Sequence, residues 1–207
     1  MDYCAQLTLP GAASWRLPRV AELRSIVDDT ALSPCINTTV FPNTPAEAFW
    51  TSSTGVRPDS PFYVGFETGL SQRNQASERY RVRCVSSSAT LPTGRYTVNT
   101  DEVLDHLTGL TWRRAPTGGE VSWADAQNAC PQGWRLPRKK EMETLVHVER
   151  NTPALDVTAF PATLQGAFWT STPALHASLS LAWYVATIHG ECSSDFRTNL
   201  RQVLCVR

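Results

Sequence analysis

The chain has 207 residues and equal numbers of basic and acidic side chains, nineteen of each. This balance lacks the broad positive field that drives sequence-independent nucleic-acid binding, so we expect no nucleic-acid partner. Fourteen Pro, eleven Gly and seven Trp predict a loop-rich globular fold rather than a disordered chain or a helical bundle. The sequence has no run of eighteen apolar residues, so we expect no insertion into a membrane.

The sequence contains two copies of one domain. The Trp-Arg-Leu-Pro-Arg motif of residues 15–19 recurs at residues 134–138, and the Phe-Trp-Thr-Ser motif of residues 49–52 recurs at residues 168–171. The similarity continues to the last Cys-Val pair of each copy. A period of about 120 residues is too long for a solenoid, so the repeat indicates a duplicated domain.

The two copies differ at their N-terminal ends. The second has an additional segment, residues 96–128, before Cys130, whereas the first begins almost directly at the equivalent Cys4. The first copy is therefore either incomplete or borrows structure from elsewhere, and we favour a fragment of a longer protein. The predicted organisation is a first, N-terminally incomplete repeat at 1–88, a linker at 89–95 and a second repeat at 96–207.

Each copy is predicted to be α+β, with two helices and a small antiparallel sheet. In the second copy, Ser122 and Asp125 form a capping-box-like start for a short helix over about 122–130. Pro137 suits the first position of a second helix, as Pro18 does in the first copy. The predicted strands of the second copy are residues 108–112, 168–171, 183–188 and 202–206.

Six cysteines without zinc-type spacing predict a disulfide framework and an oxidising compartment, with an export signal that is lost or lies upstream. Four of the cysteines fall at corresponding places in the two copies. Repeat symmetry then predicts two bridges, Cys4–Cys84 and Cys130–Cys205. Cys35 and Cys192 have no equivalents, so they either form a third bridge that joins the copies, which we favour, or remain thiols.

The side chains capable of catalysis or metal binding form no recognisable motif. The sequence has no nucleophile elbow, HExxH motif or phosphate-binding Gly-rich loop. Asp101, Glu102 and Asp105 lie close together but lack the alternating ligands of a calcium loop, so a solvated turn is the better interpretation. All four histidines occur in the second copy alone, namely His106, His147, His176 and His189. We therefore expect no enzymatic activity, no metal site and no cofactor.

The repeated motifs are interpreted as scaffold. We expect the Trp and Leu of each Trp-Arg-Leu-Pro motif to fill the core, and the Arg to pair with a carboxylate or to cap main-chain carbonyls. The residues with predicted structural roles are Trp15, Arg16, Trp50, Trp134, Arg135 and Trp169.

Four polar segments differ between the copies while the segments that flank them match. They are residues 53–61, 70–80, 172–182 and 190–201. Divergent loops on a constant scaffold are typical of binding surfaces, and unconstrained surface loops are the alternative interpretation. The predicted ligand-binding residues are Arg73, Asn74, Arg79, His189, Asp195, Arg197 and Asn199.

The order of the motifs resembles that of a bacterial family, the domain named after the C-terminal part of the Legionella collagen-like adhesin. The resemblance rests on the Thr-Gly-Leu-Thr-Trp, Ser-Trp-Ala-Asp-Ala, Trp-Arg-Leu-Pro and Leu-Cys-Val-Arg motifs at 108–112, 122–126, 134–137 and 204–207. The helix start and the terminal Arg-Cys-Val strand are also similar to the C-type-lectin-like scaffold of formylglycine-generating enzymes and of retroelement-diversified proteins. The resemblance therefore implies two tandem C-type-lectin-like domains.

The resemblance also implies a bacterial module that is secreted, periplasmic or exposed on the cell surface. It would be a non-enzymatic binding module that recognises a glycan or a surface protein through the divergent loops. The family's best-known relative binds sulfated polysaccharide, but the neutral charge of this chain argues against the same ligand. The alternative is a structural or assembly domain that contacts other domains of a longer parent chain. An oxidase like the formylglycine-generating enzymes is a distant third, because the reactive cysteine pair has no counterpart here.

Overall fold

The computed structural model describes residues 3–8, 14–86, 94–150, 152–161, 163–175 and 179–207. The chain divides into two compact units, residues 1–91 (unit 1) and residues 92–207 (unit 2). Both units combine helix with antiparallel sheet, which confirms the α+β class. The prediction of two helices in each copy is correct for unit 2 but wrong for unit 1, which has one α-helix and a 3-10 turn in the described residues. Most of the predicted linker and His176 lie outside the described residues.

Unit 1 begins with a 3-10 turn, Cys4–Gln6, followed by one α-helix, α1 (Val20–Ser25). Its antiparallel sheet consists of β1 (Ala48–Trp50), β2 (Phe62–Gly65) and β3 (Ser71–Arg73). The sheet has one face on the core because side chains alternate along a strand. In β2, Phe62 and Val64 are fully buried, and Tyr63 between them is half-buried on the other face.

Unit 2 contains two three-stranded antiparallel sheets. The first is β4 (Tyr96–Val98), β5 (Glu102–Asp105) and β6 (Leu110–Arg113). Two helices follow, α2 (Trp123–Ala126) and α3 (Lys139–Thr144). The second sheet is β7 (Ala167–Pro173), β8 (Leu181–Ala186) and β9 (Glu191–Phe196).

The two units share strand register as well as sequence. Trp50 lies opposite Tyr63 in unit 1, as Trp169 lies opposite Tyr184 in unit 2. The C-terminal segments of the two units, residues 84–86 and 205–207, also match, since Val85 bridges Arg16 and Val206 bridges Arg135. The sequence repeat is therefore a repeat of tertiary structure.

The main helix of each unit begins at a side-chain cap. The Arg19 and Arg138 main-chain N–H groups each donate to a carboxylate three residues later, Glu22 and Glu141, at 2.7 Å. This arrangement satisfies a donor that the first helical turn leaves without a partner. It also makes Arg138 the residue that precedes the helix, so the prediction that Pro137 occupies the first helical position is wrong by two residues.

The structure corrects several predicted elements. The segment predicted as a terminal strand, 202–206, makes only isolated bridges. Gln202 pairs with Phe168, and Val206 pairs with Trp112 and with Arg135. Two of the predicted loops contain strands, β3 within 70–80 and β9 within 190–201, because pairing with β2 and β8 outweighs their polar composition. The strand predicted over 108–112 begins at Leu110, after a turn in which Gly109 has φ of +71°.

The disulfides in the described part of the chain are Cys4–Cys84 and Cys130–Cys205, the pair that repeat symmetry predicts. The favoured third bridge, Cys35–Cys192, is not formed. Cys35 is 3 % exposed in unit 1, and its main-chain N–H donates to the Phe66 carbonyl. Cys192 is 0 % exposed in β9 of unit 2. Each side chain is a thiol packed inside its own unit, where a bridge would require it to leave that core.

The interpretation of Asp101, Glu102 and Asp105 as a solvated turn is wrong for two of the three. Asp105 is fully buried and accepts two hydrogen bonds from the Arg95 guanidinium, at 2.9 and 2.6 Å. Glu102 pairs with Arg207 at 2.6 Å. These carboxylates hold β5 to its surroundings through ion pairs.

The residues described here include no helix that is long and apolar enough to cross a lipid bilayer. Within the same residues, His, Cys, Asp and Glu side chains form no group of three that could hold a metal ion.

Replacing both Cys130 and Cys205 by Ala should lower the free energy of unfolding of unit 2 by about 4 kcal/mol, because the bridge closes a loop of 75 residues in the unfolded chain. Urea unfolding monitored by circular dichroism measures the change. Cys192→Ala is the matched control, since it removes a buried sulfur that closes no loop. A double variant that loses no more stability than this control would contradict the prediction.

Asp105→Asn should destabilise unit 2 by roughly 3 kcal/mol at pH 7, because it leaves the Arg95 guanidinium buried without its counter-charge. Burial alone would raise the pKa of Asp105, but the hydrogen bonds and charge of Arg95 outweigh it and lower that pKa. The stabilisation is therefore present above the ordinary carboxyl pKa and is lost as the pH falls through the lowered value.

Urea unfolding at pH 7 and at about pH 3 should accordingly show the gap between wild type and Asp105→Asn shrinking in acid. Asp101→Asn, at an exposed position nearby, is the control and should change stability by less than about 0.5 kcal/mol. An equal gap at both pH values would rule out the ion pair as the source of the stability.

Candidate functional site

Three of the four predicted residues of unit 2 lie near one end of β9. Asp195 accepts a hydrogen bond from Asn199 Nδ2 at 2.9 Å and forms an ion pair with Arg201. The guanidinium carbon of Arg197 lies 4.2 Å from the ring centre of Trp123. The structure thus brings Asp195, Arg197 and Asn199 into one region, where each makes contacts that hold the polypeptide in place.

Arg201 belongs to this cluster, although sequence reasoning did not select it. Its guanidinium carbon lies 3.6 Å from the ring centre of Tyr184 and 5.3 Å from that of Trp169. Burial alone would raise the pKa of Asp195, but hydrogen bonds from Asn199 and other donors, together with the charge of Arg201, lower it. The carboxylate is therefore ionised at neutral pH and is satisfied within the unit.

His189 does not lie with the other three. It occupies the turn between β8 and β9, next to the Ala186–Glu191 pair, whereas Asp195 pairs with Ala182 near the other end of the hairpin. Four residues of strand separate the two positions, roughly 13 Å. The predicted residues of unit 2 therefore lie at two opposite ends of the β8–β9 hairpin.

The three predicted residues of unit 1 have different roles. The Arg73 guanidinium packs over the buried Phe62 ring, 4.6 Å from its centre. Asn74 Nδ2 donates to the Tyr80 hydroxyl at 2.6 Å. Arg79 is exposed and lines a cleft, whereas Arg73 and Asn74 are only partly exposed and do not line it.

The cleft has a volume of about 500 Å³ and lies on unit 1. Its walls come from β1, from β2, from the turn after β2, and from Arg79 and Tyr80 after β3. The volume lies within the range of small-ligand sites. The side chains that give the cleft its chemistry are Glu47, Tyr63, Glu67, Thr68, Arg79 and Tyr80.

Two tyrosine rings form the aromatic part of the cleft. The Tyr80 ring centre lies 4.5 Å from that of Trp50 and 4.9 Å from that of Tyr63. These ring contacts and the hydrogen bond from Asn74 fix the orientation of Tyr80. The cleft thus offers preorganised aromatic surface, with little side-chain entropy left to lose when a ligand binds.

The charges around the cleft balance. Arg81 donates to both oxygens of the Glu47 carboxylate, at 2.8 and 3.0 Å, and these hydrogen bonds with the Arg81 charge lower the pKa of Glu47. Glu67 and Arg79 add one charge of each sign. The cleft therefore presents donors and acceptors without the net positive charge that a polyanion requires.

Unit 2 does not repeat this chemistry. At the positions that correspond to Glu47, Glu67, Arg79 and Tyr80, it has Gly166, Ile188, Leu200 and Arg201. In particular, an arginine that pairs with Asp195 replaces Tyr80, although Tyr63 keeps a counterpart in Tyr184. The scaffold is shared, but the cleft chemistry belongs to unit 1.

The residues with predicted structural roles support the scaffold in two ways. Arg16 pairs with Glu22 and Arg135 pairs with Glu141, at 2.6 and 2.7 Å. Trp169 is fully buried and Trp50 is half-buried against Tyr80. Trp15 and Trp134 are half-buried and so do not lie inside the core as predicted, although Trp134 packs against the outside of the core of unit 2. Trp134 instead carries two guanidinium groups over its ring, those of Arg113 and Arg207.

Comparison with known proteins identifies the scaffold. The sequence model of the Lcl C-terminal domain matches residues 1–86 and 101–207. No curated protein matches the chain. The family suggests a bacterial surface module of the adhesin type, in agreement with the resemblance of the repeated motifs. The chain therefore belongs to the Lcl C-terminal domain family, of which it contains two tandem copies.

Proposed function

We propose that the chain is a non-enzymatic binding module that recognises a glycan through the cleft of unit 1. The observation that carries the proposal is the pairing of two fixed tyrosine rings with charged side chains of both signs around a cleft of about 500 Å³.

The lining of the cleft suits the two kinds of surface that a sugar ring presents. The rings of Tyr63 and Tyr80 offer apolar area to the C–H face of the sugar. Glu67, Thr68 and Arg79 offer acceptors and donors to its hydroxyl groups. A few polar groups around an aromatic surface are typical of sites that orient a small ligand.

Charge selects between glycan classes. Sulfated polysaccharide requires an excess of basic side chains, but here Glu47 and Glu67 offset Arg79 and Arg81. We therefore expect neutral sugars, or sugars with one charge of each sign, to bind better than sulfated chains. A surface protein that inserts a polar loop into the same cleft is the second ligand class.

We further propose that the chain is secreted, periplasmic or displayed on a bacterial surface. The two disulfides support this location, since such bridges persist in oxidising compartments. Family membership supports display at the surface.

A C-type-lectin-like arrangement of each unit is the fold proposal that accompanies this function. It is supported by the antiparallel sheet and by a disulfide that ties the chain before the main helix of each unit to the last residues of that unit. Fold alone does not specify a ligand, so the glycan proposal rests on the cleft residues.

Screening the full chain against an array of neutral and sulfated glycans, followed by calorimetry on the best ligand, tests the proposal. Arg79→Ala and Glu67→Gln should each weaken binding about tenfold or more, because each removes hydrogen bonds to a charged group. Arg57→Ala is the matched control, since Arg57 is an exposed arginine of unit 1 outside the cleft lining.

Saturable binding of a neutral glycan that both cleft variants weaken and the control retains would support the proposal. Binding restricted to sulfated chains, with a steep dependence on salt and no response to Glu67→Gln, would contradict it. So would an array without any saturable ligand.

A further inference from the structure

Unit 1 has a second cavity, of about 510 Å³, with walls from α1, Phe41 and the C-terminal segment of the unit. We call it the groove, and the residues that matter below are Ser25, Ile26, Phe41, Cys84 and Val85. No residue that lines the groove also lines the cleft. An inference about the groove is therefore independent of the proposed glycan site.

The corresponding surface of unit 2 is covered. Leu145, Phe160, Cys205 and Val206 are each 0 % exposed. Their counterparts in unit 1, Ile26, Phe41, Cys84 and Val85, are all only partly buried. The groove is thus the part of the common scaffold that unit 2 buries and unit 1 leaves open.

The sheet β4–β6 provides the cover in unit 2. Arg95 Nη2 donates to the Thr144 carbonyl at the end of α3, at 2.8 Å, while Asp105 neutralises its charge. The Tyr96 ring packs edge-on against Phe160, with ring centres 5.8 Å apart. Thr144 and Phe160 correspond to Ser25 and Phe41, which line the groove of unit 1.

Main-chain pairing completes the cover. Val206 is bridged on both sides, by Arg135 and by Trp112 of β6. Arg207 and Thr111 exchange two main-chain hydrogen bonds, both 2.9 Å long. Among the described residues, Val85 is bridged on one side only, by Arg16. Its other side is an open strand edge, the kind of surface to which a further strand adds.

We propose that the groove of unit 1 binds a three-stranded β-meander with the chemistry of residues 94–114. The partner supplies a strand that pairs with residues 84–86, an aromatic ring that packs on Phe41, and an Arg–Asp pair whose guanidinium reaches the carbonyl at the end of α1. This occupant is the one that the second copy of the same scaffold already holds at the equivalent place. Unit 1 therefore serves as a docking site for a segment of this type.

The probe is a labelled peptide of residues 94–114, titrated into the full chain and followed by fluorescence anisotropy. An isolated peptide of this length buries too little apolar surface to fold stably, so the same segment is also fused before residue 1 through a flexible linker, which raises its effective concentration to about millimolar. The Cys4–Cys84 bridge ties the N-terminal region to the groove and shortens the span that the linker must cross. Hydrogen exchange of residues 84–86 reports binding in the fusion.

Ser86→Pro is the decisive variant. Ser86 corresponds to Arg207, whose N–H donates to Thr111 in unit 2, so proline removes the donor that the added strand needs. Ser86 is exposed, and the residue before a proline favours the extended conformation that the Arg16–Val85 bridge already requires. Ser86→Ala is the matched control, since it removes the hydroxyl but keeps the N–H group.

We expect saturable binding of the peptide, or at least tenfold slower exchange of residues 84–86 in the fusion. Ser86→Pro should weaken either effect at least tenfold and Ser86→Ala should leave it unchanged. The absence of binding in both formats would overturn the proposal, as would equal binding by the two variants. A dimer of the full chain that buries residues 84–86 and excludes the peptide would overturn it in favour of a second copy.

Discussion

The attachment of the last residues of each copy to the segment that precedes its main helix is the constraint on which both copies depend. Val85 and Val206 bridge Arg16 and Arg135, and a disulfide fixes the neighbouring residue of each segment. The same two arginines pair with the carboxylates that cap the helices. One short region thus sets the positions of the helix, the sheet and the C-terminal segment together, because loss of any of these contacts would displace all three.

The duplicated scaffold shows how a single position can change the character of a surface. Tyr80 packs on Trp50 and Tyr63 and forms an aromatic wall. Its counterpart Arg201 stacks on an equivalent tyrosine and pairs with Asp195. Both side chains cover the same face of the sheet, but the first leaves an aromatic cleft and the second a neutralised ion pair. Binding chemistry can therefore differ between the units while their strand register stays the same.

Contacts that recur in both copies could be predicted from the sequence, whereas contacts made in one copy alone could not. The duplication, the α+β class and the two disulfides follow from motifs that recur in order. The burial of Asp105 could not be foreseen, because its partner Arg95 lies in the segment predicted as a linker. The cleft was missed for the same reason, since β1, β2 and the segment after β3 each supply one of its walls. One signal was present: Tyr63 alternates with the buried Phe62 and Val64, which places it on the opposite face.

The central claim is that the two units share a scaffold that unit 2 closes and unit 1 leaves open. Residue-resolved hydrogen exchange on the full chain, without any added ligand, tests it most directly. The Arg207 amide, which donates to Thr111 at 2.9 Å, should exchange much more slowly than the equivalent amide of Ser86. The amides of Val85 and Val206, which donate to the Arg16 and Arg135 carbonyls before the helices, should be protected in each unit. Equal protection of Ser86 and Arg207 would contradict the account.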